Sequence, residues 1–167
     1  MTTWTAPNAA QRKAILDRTR TIAMVGASAD RSRPSYFVAT YLQSAPYEVW
    51  YVNPRATEIL GRPVYPSLDA LPGVPDMVDV FRKAEDCPGV ARDAIRLGAS
   101  CLWLQLGVVS KEAADIASAA GLDVVMDRCV KIEHARFGGG LHLAGFDTGV
   151  ISAKRRRPVG PLPRNDT

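Results

Sequence analysis

Apolar and polar positions alternate between two patterns along the chain. Short runs that are apolar at almost every position stand at 22–25, 49–52, 77–80, 101–104 and 123–126, with a weaker run at 63–65. Runs of this length and composition read as strands buried on both faces. Stretches of helical period separate them at 35–44, 88–97 and 111–120, and another at 8–18 precedes the first strand. Ser110 ahead of "KEAADIASAAG" has the form of a helix cap, with Glu112 in the first turn and Gly121 as the stop, while Gly98 closes "AIRLGA". Strands alternating with helices predict an α/β fold with a mostly parallel sheet of five or six strands, wound in both directions from its first strand.

Composition sharpens this picture at the ends. The chain of 167 residues is 47% hydrophobic, enough for one sizeable core, so a single domain is expected. Residues 1–20 are expected to be a helical extension of a domain at 21–151, and 152–167 a disordered tail, because "SAKRRRPVGPLPRNDT" holds little to bury. The net charge of +4 is concentrated in that tail, at Lys154 to Arg157 and Arg164, which leaves the folded part near neutral and implies no nucleic-acid partner. Cys87, Cys101 and Cys129 are odd in number and lack metal-ligand spacing, so neither a disulfide framework nor a metal site is indicated and a reducing cytoplasm is expected. No run reaches the roughly 18 to 20 apolar residues of a membrane span, and the start "MTTWTAPNAAQRK" lacks the layout of a signal peptide.

The chemistry is expected at the first loop, in "TIAMVGASADRSRPS". In a doubly wound, Rossmann-like sheet the first strand ends where strand order reverses, and ligands bind there. Gly26 occupies that end, followed by small residues whose amides suit a phosphate. Ser28, Ser32 and Ser35 offer hydroxyls to the same corner, and Arg31 and Arg33 offer guanidinium groups. A nicotinamide fingerprint needs glycines two and five positions on, where Ser28 and Arg31 stand, and an acid after the second strand, where "YVNP" places Asn53 and Pro54. An NAD(P) site is therefore disfavoured. The competing reading of Gly26 is a plain tight turn.

The segments "VGASADRSRPSY", "VNP", "LGRPVYPSL", "VDVFR", "LWLQLGV" and "VMDRCVKIEHAR" together resemble the small stand-alone CoA-binding proteins, whose fold is similar to the CoA-binding domain of the succinyl-CoA synthetase α subunit. The resemblance runs from about Thr21 to Arg136. It implies coenzyme A, or an acyl-CoA, as the ligand. Gly26, Ala27 and Ser28 then meet the pyrophosphate, with Arg33 and Pro34 shaping the far side. Asn53 and Pro54 border the adenosine, Phe81 and Arg82 flank the nucleotide, and Gln105, Leu106 and Gly107 lie near the pantetheine path. Cys129 stands at the mouth of the pocket. CoA needs amide donors and cations for its phosphates and an apolar wall for adenine. Arg33, Arg55 and Arg82 suit the first need, and Phe81 suits either the wall or the core.

"MDRCVKIEHAR" holds Asp127, Cys129, Glu133 and His134 together, a set from which a Cys–His nucleophile is conceivable. If a helix starts near Lys131, the side chains diverge. The reading without chemistry is a buried or ligand-lining Cys129 and a surface His134. The synthetases use a phosphohistidine from a further domain, and neither His134 nor His142 matches that loop. A non-catalytic CoA-binding protein is thus expected, the alternatives being an enzyme acting on an acyl-CoA or nucleotide, or an NAD(P)-binding protein.

Overall fold

The structure, a computed structural model, describes residues 3–138; the tail expected at 152–167, His142 and the end of the 21–151 domain lie outside the described residues. Helix α1 spans Ala9–Arg18 and opens on a capping box: Asn8 Oδ1 accepts from the Gln11 amide at 2.9 Å and Gln11 Oε1 from the Asn8 amide at 2.8 Å. Strand β1 (Thr21–Val25), helix α2 (Pro34–Ser44) and strand β2 (Glu48–Val52) follow. Two short strands, β3 (Glu58–Ile59) and β4 (Arg62–Tyr65), lead to β5 (Met77–Val80). Then come α3 (Cys87–Leu97), β6 (Cys101–Leu104), α4 (Lys111–Ala119), β7 (Asp123–Val125) and α5 (Val130–Gly138).

The strands form one sheet in the order β3-β4-β2-β1-β5-β6-β7. Every neighbouring pair is parallel except β3 and β4. Among the described residues the expected five or six strands are seven, because "EILGRP" closes a hairpin that the alternation of patterns did not reveal. Its turn residues Leu60 and Gly61 both have positive φ, 49° and 75°, as a two-residue turn of the hairpin type requires.

Alternate residues of the central strands feed two separate cores. On one face Ile22, Met24, Met77 and Trp103 pack under α1, α2 and α5, through Ile15, Leu16, Val38, Leu42 and Val130. On the other, Ala23, Val25, Val78, Val80, Leu102 and Leu104 pack under α3 and α4. Those two helices present alanines inward (Ala91, Ala94, Ala113, Ala114 and Ala117), which lets them lie close to the sheet and to each other. Glu133 of α5 ties the first face together: Arg12 of α1 donates to it at 2.9 Å, with both residues buried, and Arg128 and Arg136 reach its other oxygen at 3.2 and 3.3 Å.

Winding therefore runs one way from β1 through β2 and β4, and the other way through β5, β6 and β7. The carboxyl ends of β1 and β5 border the crevice that this reversal creates.

Candidate ligand-binding site

Gly26 turns the chain out of β1 at that crevice. Its amide donates to the Val52 carbonyl at 2.9 Å, and the Phe81 amide donates to the Val25 carbonyl at 2.8 Å, so the ends of β2, β1 and β5 are locked side by side. Gly26 has φ +85°, and a Cβ there would lie 2.9 Å from the Phe81 carbonyl oxygen and 3.0 Å from Arg82 Cδ. Both facts demand glycine. A side chain at this position meets the neighbouring strand before it reaches the space of a phosphate.

The rest of the loop largely satisfies itself. The Ser28 amide donates to Ser35 Oγ and the Asp30 amide to Ser28 Oγ, each at 3.1 Å. Asp30 Oδ1 accepts from the Ser32 amide at 2.9 Å and the Ser32 hydroxyl at 2.7 Å, which holds the Asp30 carboxyl below its usual pKa. Ser32 is thus committed to Asp30, and Ser35 is buried. Arg33 is the cap residue of α2 without capping it through its side chain, and Pro34 is among the first helical residues. The Arg33 guanidinium stays exposed, 3.8 Å from Asp30. The amide end of this helix of 11 residues faces the loop, as an anion site requires.

Asn53 links two loops. Its Nδ2 donates to the Ala27 carbonyl at 2.7 Å, while its Oδ1 accepts from the Arg55 amide at 2.8 Å. A carboxylate at this position would have no donor for Ala27, so the residue that departs from the dinucleotide fingerprint is the one that clamps the first loop to the second.

A cleft of about 480 Å³ opens beside these loops, on the α3 face of the carboxyl edge. Gly26, Pro54 and Arg82 line it, together with Val25, Val52, Pro66, Ser67, Leu68, Glu85, Asp86, Gly89, Val90 and Asp93. Arg82 is held there by Asp86, with nitrogens at 3.1 and 3.2 Å. The volume is that of a small-molecule site, and Val25, Pro54, Leu68 and Val90 give it apolar surface. Of these, Pro66 to Leu68 and Glu85 to Asp93 were not singled out from the sequence, although "YPSL" lies inside a matched segment.

Ala27, Ser28, Arg33, Pro34, Asn53, Phe81, Gln105, Leu106, Gly107 and Cys129 do not line that cleft. Phe81 packs, half-buried, against the core on the α2 and α5 face. Gln105 is buried, its amide bonded to the Val80 carbonyl, and its Nε2 donates to Asp79 Oδ1 at 2.5 Å. Leu106 is exposed, and Gly107 donates its amide to Asp127 at 2.7 Å. Asp79 went unnoticed in the sequence. It is fully buried in the middle of the sheet, its Oδ2 has no partner among the described residues, and burial pushes its pKa up to about 8 against the effect of the Gln105 bond.

The acid and base residues of "MDRCVKIEHAR" separate. His134 Nδ1 lies 2.7 Å from the Tyr41 hydroxyl, and its ring stands edge-on to Tyr41 and Tyr47. It is half-buried rather than a surface histidine, and burial lowers its pKa. Glu133 is engaged by three arginines. Cys129 is half-buried just ahead of α5; burial raises its pKa, opposed by the amides of Ile132 and Lys131.

A family model described as the CoA binding domain matches residues 20–135, which takes in every strand among the described residues and the strand-end loops just described. The chain belongs to the CoA-binding domain family. The match spans the whole sheet rather than one loop. A protein of Bacillus subtilis (strain 168), named as uncharacterized protein YneT, is 40% identical over 129 residues, 77% of this chain and 96% of its own. A solved structure of a hypothetical protein from Pyrococcus horikoshii OT3 is 35% identical with a TM-score of 0.76, covering 82% of this chain and 99% of that one. The dinucleotide-forming acetyl-coenzyme A synthetase 1 of Ca. Korarchaeum cryptofilum, 24% identical, shares the fold with a TM-score of 0.54 over 64% of this chain and 26% of its own. CoA binding is the general property of the family. No helix among the described residues is long and apolar enough to cross a membrane.

A second cavity, of about 340 Å³, lies between α1, β7 and the segment around Trp4, and none of the strand-end residues lines it.

Proposed function

We propose that the protein is a non-catalytic binder of CoA or an acyl-CoA, with its site at the carboxyl edge around Gly26. The observation that carries this reading is the convergence of the β1, β2 and β5 ends on one cleft of about 480 Å³ at the winding reversal, within a chain of the CoA-binding domain family. The pyrophosphate takes those amides of the loop from Ala27 to Ser35 that the loop does not itself use, such as those of Ala27, Ala29 and Ser35, with Arg33 alongside. The adenine enters the cleft against Pro54, Leu68 and Val90. The 3′-phosphate competes with Asp86 for Arg82, which the cleft holds at its wall. The pantetheine arm runs along the sheet edge past Gln105, Leu106 and Gly107 toward Cys129. The three free thiols suit the reducing cytoplasm in which CoA is itself a free thiol.

Calorimetry with CoA, 3′-dephospho-CoA, NAD and NADP tests the reading. CoA should bind most tightly, and 3′-dephospho-CoA should be weaker. Arg82→Ala should cost on the order of 1.5 to 3 kcal/mol for CoA if its guanidinium meets a phosphate. Equal affinity for NAD and CoA would refute the assignment.

A further inference from the structure

The three cysteines are not equivalent. Cys87 and Cys101 are 0% and 1% exposed, whereas Cys129 is half-buried at the carboxyl edge, ahead of α5. Its backbone is fixed from below, since Trp103 Nε1 donates to the Arg128 carbonyl at 2.8 Å. Asp79 pairs with Trp103 across β5 and β6, and Cys129 packs on the face to which that Trp103 belongs. Asp79 is completely buried, and among the described residues only one of its oxygens is bonded, to Gln105. The fold gains nothing from an unpartnered buried oxygen. Asp79 is the next-to-last residue of β5, so this unpaired oxygen lies under the carboxyl edge, on the face against which Cys129 packs.

The reach fits CoA. Arg128, next to Cys129, is bonded over the end of β6 to Leu104 and Trp103, and from the end of β1 to the end of β6 is two strand spacings, about 10 Å. A pantetheine arm runs from phosphate oxygen to sulfur through about a dozen bonds, the backbone of about four residues, and so extends to about 14 Å. A pyrophosphate anchored after Gly26 therefore lets the thiol arrive at Cys129.

We propose that Cys129 is a site of mixed-disulfide formation with a pantetheine-type thiol, above the Asp79 and Gln105 pair; this rests on the CoA reading. The oxidant is a low-molecular-weight disulfide such as CoA disulfide. Cys129 loses its thiol proton to solvent, and the thiolate attacks one sulfur of the disulfide. The bond between Cys129 and that sulfur forms as the original S–S bond breaks. The second CoA leaves as a thiolate and takes up a proton. Burial raises the Cys129 pKa against the amides of Ile132 and Lys131 and the Lys131 charge, and Asp79, itself protonated up to about pH 8, adds to the rise only once it ionises, so exchange speeds up as pH rises.

The full chain, freed of reductant, is incubated with CoA disulfide or with glutathione disulfide at equal concentration and followed by intact-mass and peptide mass spectrometry. The expected result is a gain of one CoA less two hydrogens on the Cys129 peptide, reversed by reductant and absent in Cys129→Ser. Glutathione disulfide should react there slower by on the order of tenfold or more, because only CoA is pre-positioned. No adduct, an adduct confined to Cys87 or Cys101, or equal rates with the two disulfides overturns the proposal. Calorimetry of the wild-type protein with CoA under reductant separates the two failures. Reversible binding without an adduct defeats this inference alone, whereas no binding defeats the CoA reading beneath it.

Discussion

Replacing Asp79 with asparagine should stabilise this protein at neutral pH, an unusual expectation for a buried polar residue. The amide side chain keeps an oxygen for the Gln105 Nε2 and has nearly the shape of the protonated acid, but it carries no charge to desolvate. In the folded chain the Asp79 pKa is pushed from 3.8 up to about 8. The native state therefore holds a proton that the unfolded chain has released throughout that interval. Wild-type stability contributed by this group is full below pH 4, falls by about 1.4 kcal/mol per pH unit as pH rises toward 8, and is constant above. Integrated to pH 7 the full penalty is on the order of 4 kcal/mol, and relaxation around the charge makes about 2 to 4 kcal/mol the expected gain for Asp79→Asn. Urea titrations of both proteins at pH 4, 5.5, 7 and 8.5 read it directly, since other titrating groups cancel in the difference. The two curves should coincide near pH 4 and separate progressively up to pH 8. A difference independent of pH, or a variant less stable at pH 8.5, would refute the reasoning.

Two further perturbations test other contacts. Glu133→Gln removes the carboxylate that Arg12, Arg128 and Arg136 face, and with Arg12 and Glu133 both buried it should cost about 3 kcal/mol in urea unfolding; a loss under about 1 kcal/mol would show that the cluster is not a stabilising element. Gly26→Val forces a β-branched side chain into φ +85° and against the Phe81 carbonyl, so both thermal stability and CoA binding should fall, and a variant with the wild-type melting temperature would contradict the strand contact.

The sheet was legible because β1, β2, β5 and β6 are apolar on both faces, and the helix ends because Gly98 and Ser110 carry their local physics with them. The hairpin of β3 and β4 was hidden: its turn uses Leu60 where Asn or Asp would have signalled two positive φ angles. Asp79 was hidden inside "MVDV", where the apolar neighbours announce a strand but not that its acid is sealed within it. Position along the chain pointed to Asn53, Ser32 and Ser35 as ligand groups. Their partners, Ala27, Asp30 and Ser28, come from loop geometry that periodicity does not encode. Glu133 and His134 sit beside Cys129 in sequence, but helical spacing sends one to Arg12 and the other to Tyr41, which lie 121 and 93 residues away.

The most direct test of the binding site is a crystal structure of the full chain with CoA. The adenine should lie in the cleft beside α3, against Pro54, Leu68 and Val90, with a pyrophosphate oxygen within hydrogen-bond distance of an amide between Ala27 and Ser35. Density for the nucleotide in the cavity near Trp4 and Arg18, with the Gly26 loop unoccupied, would contradict the account.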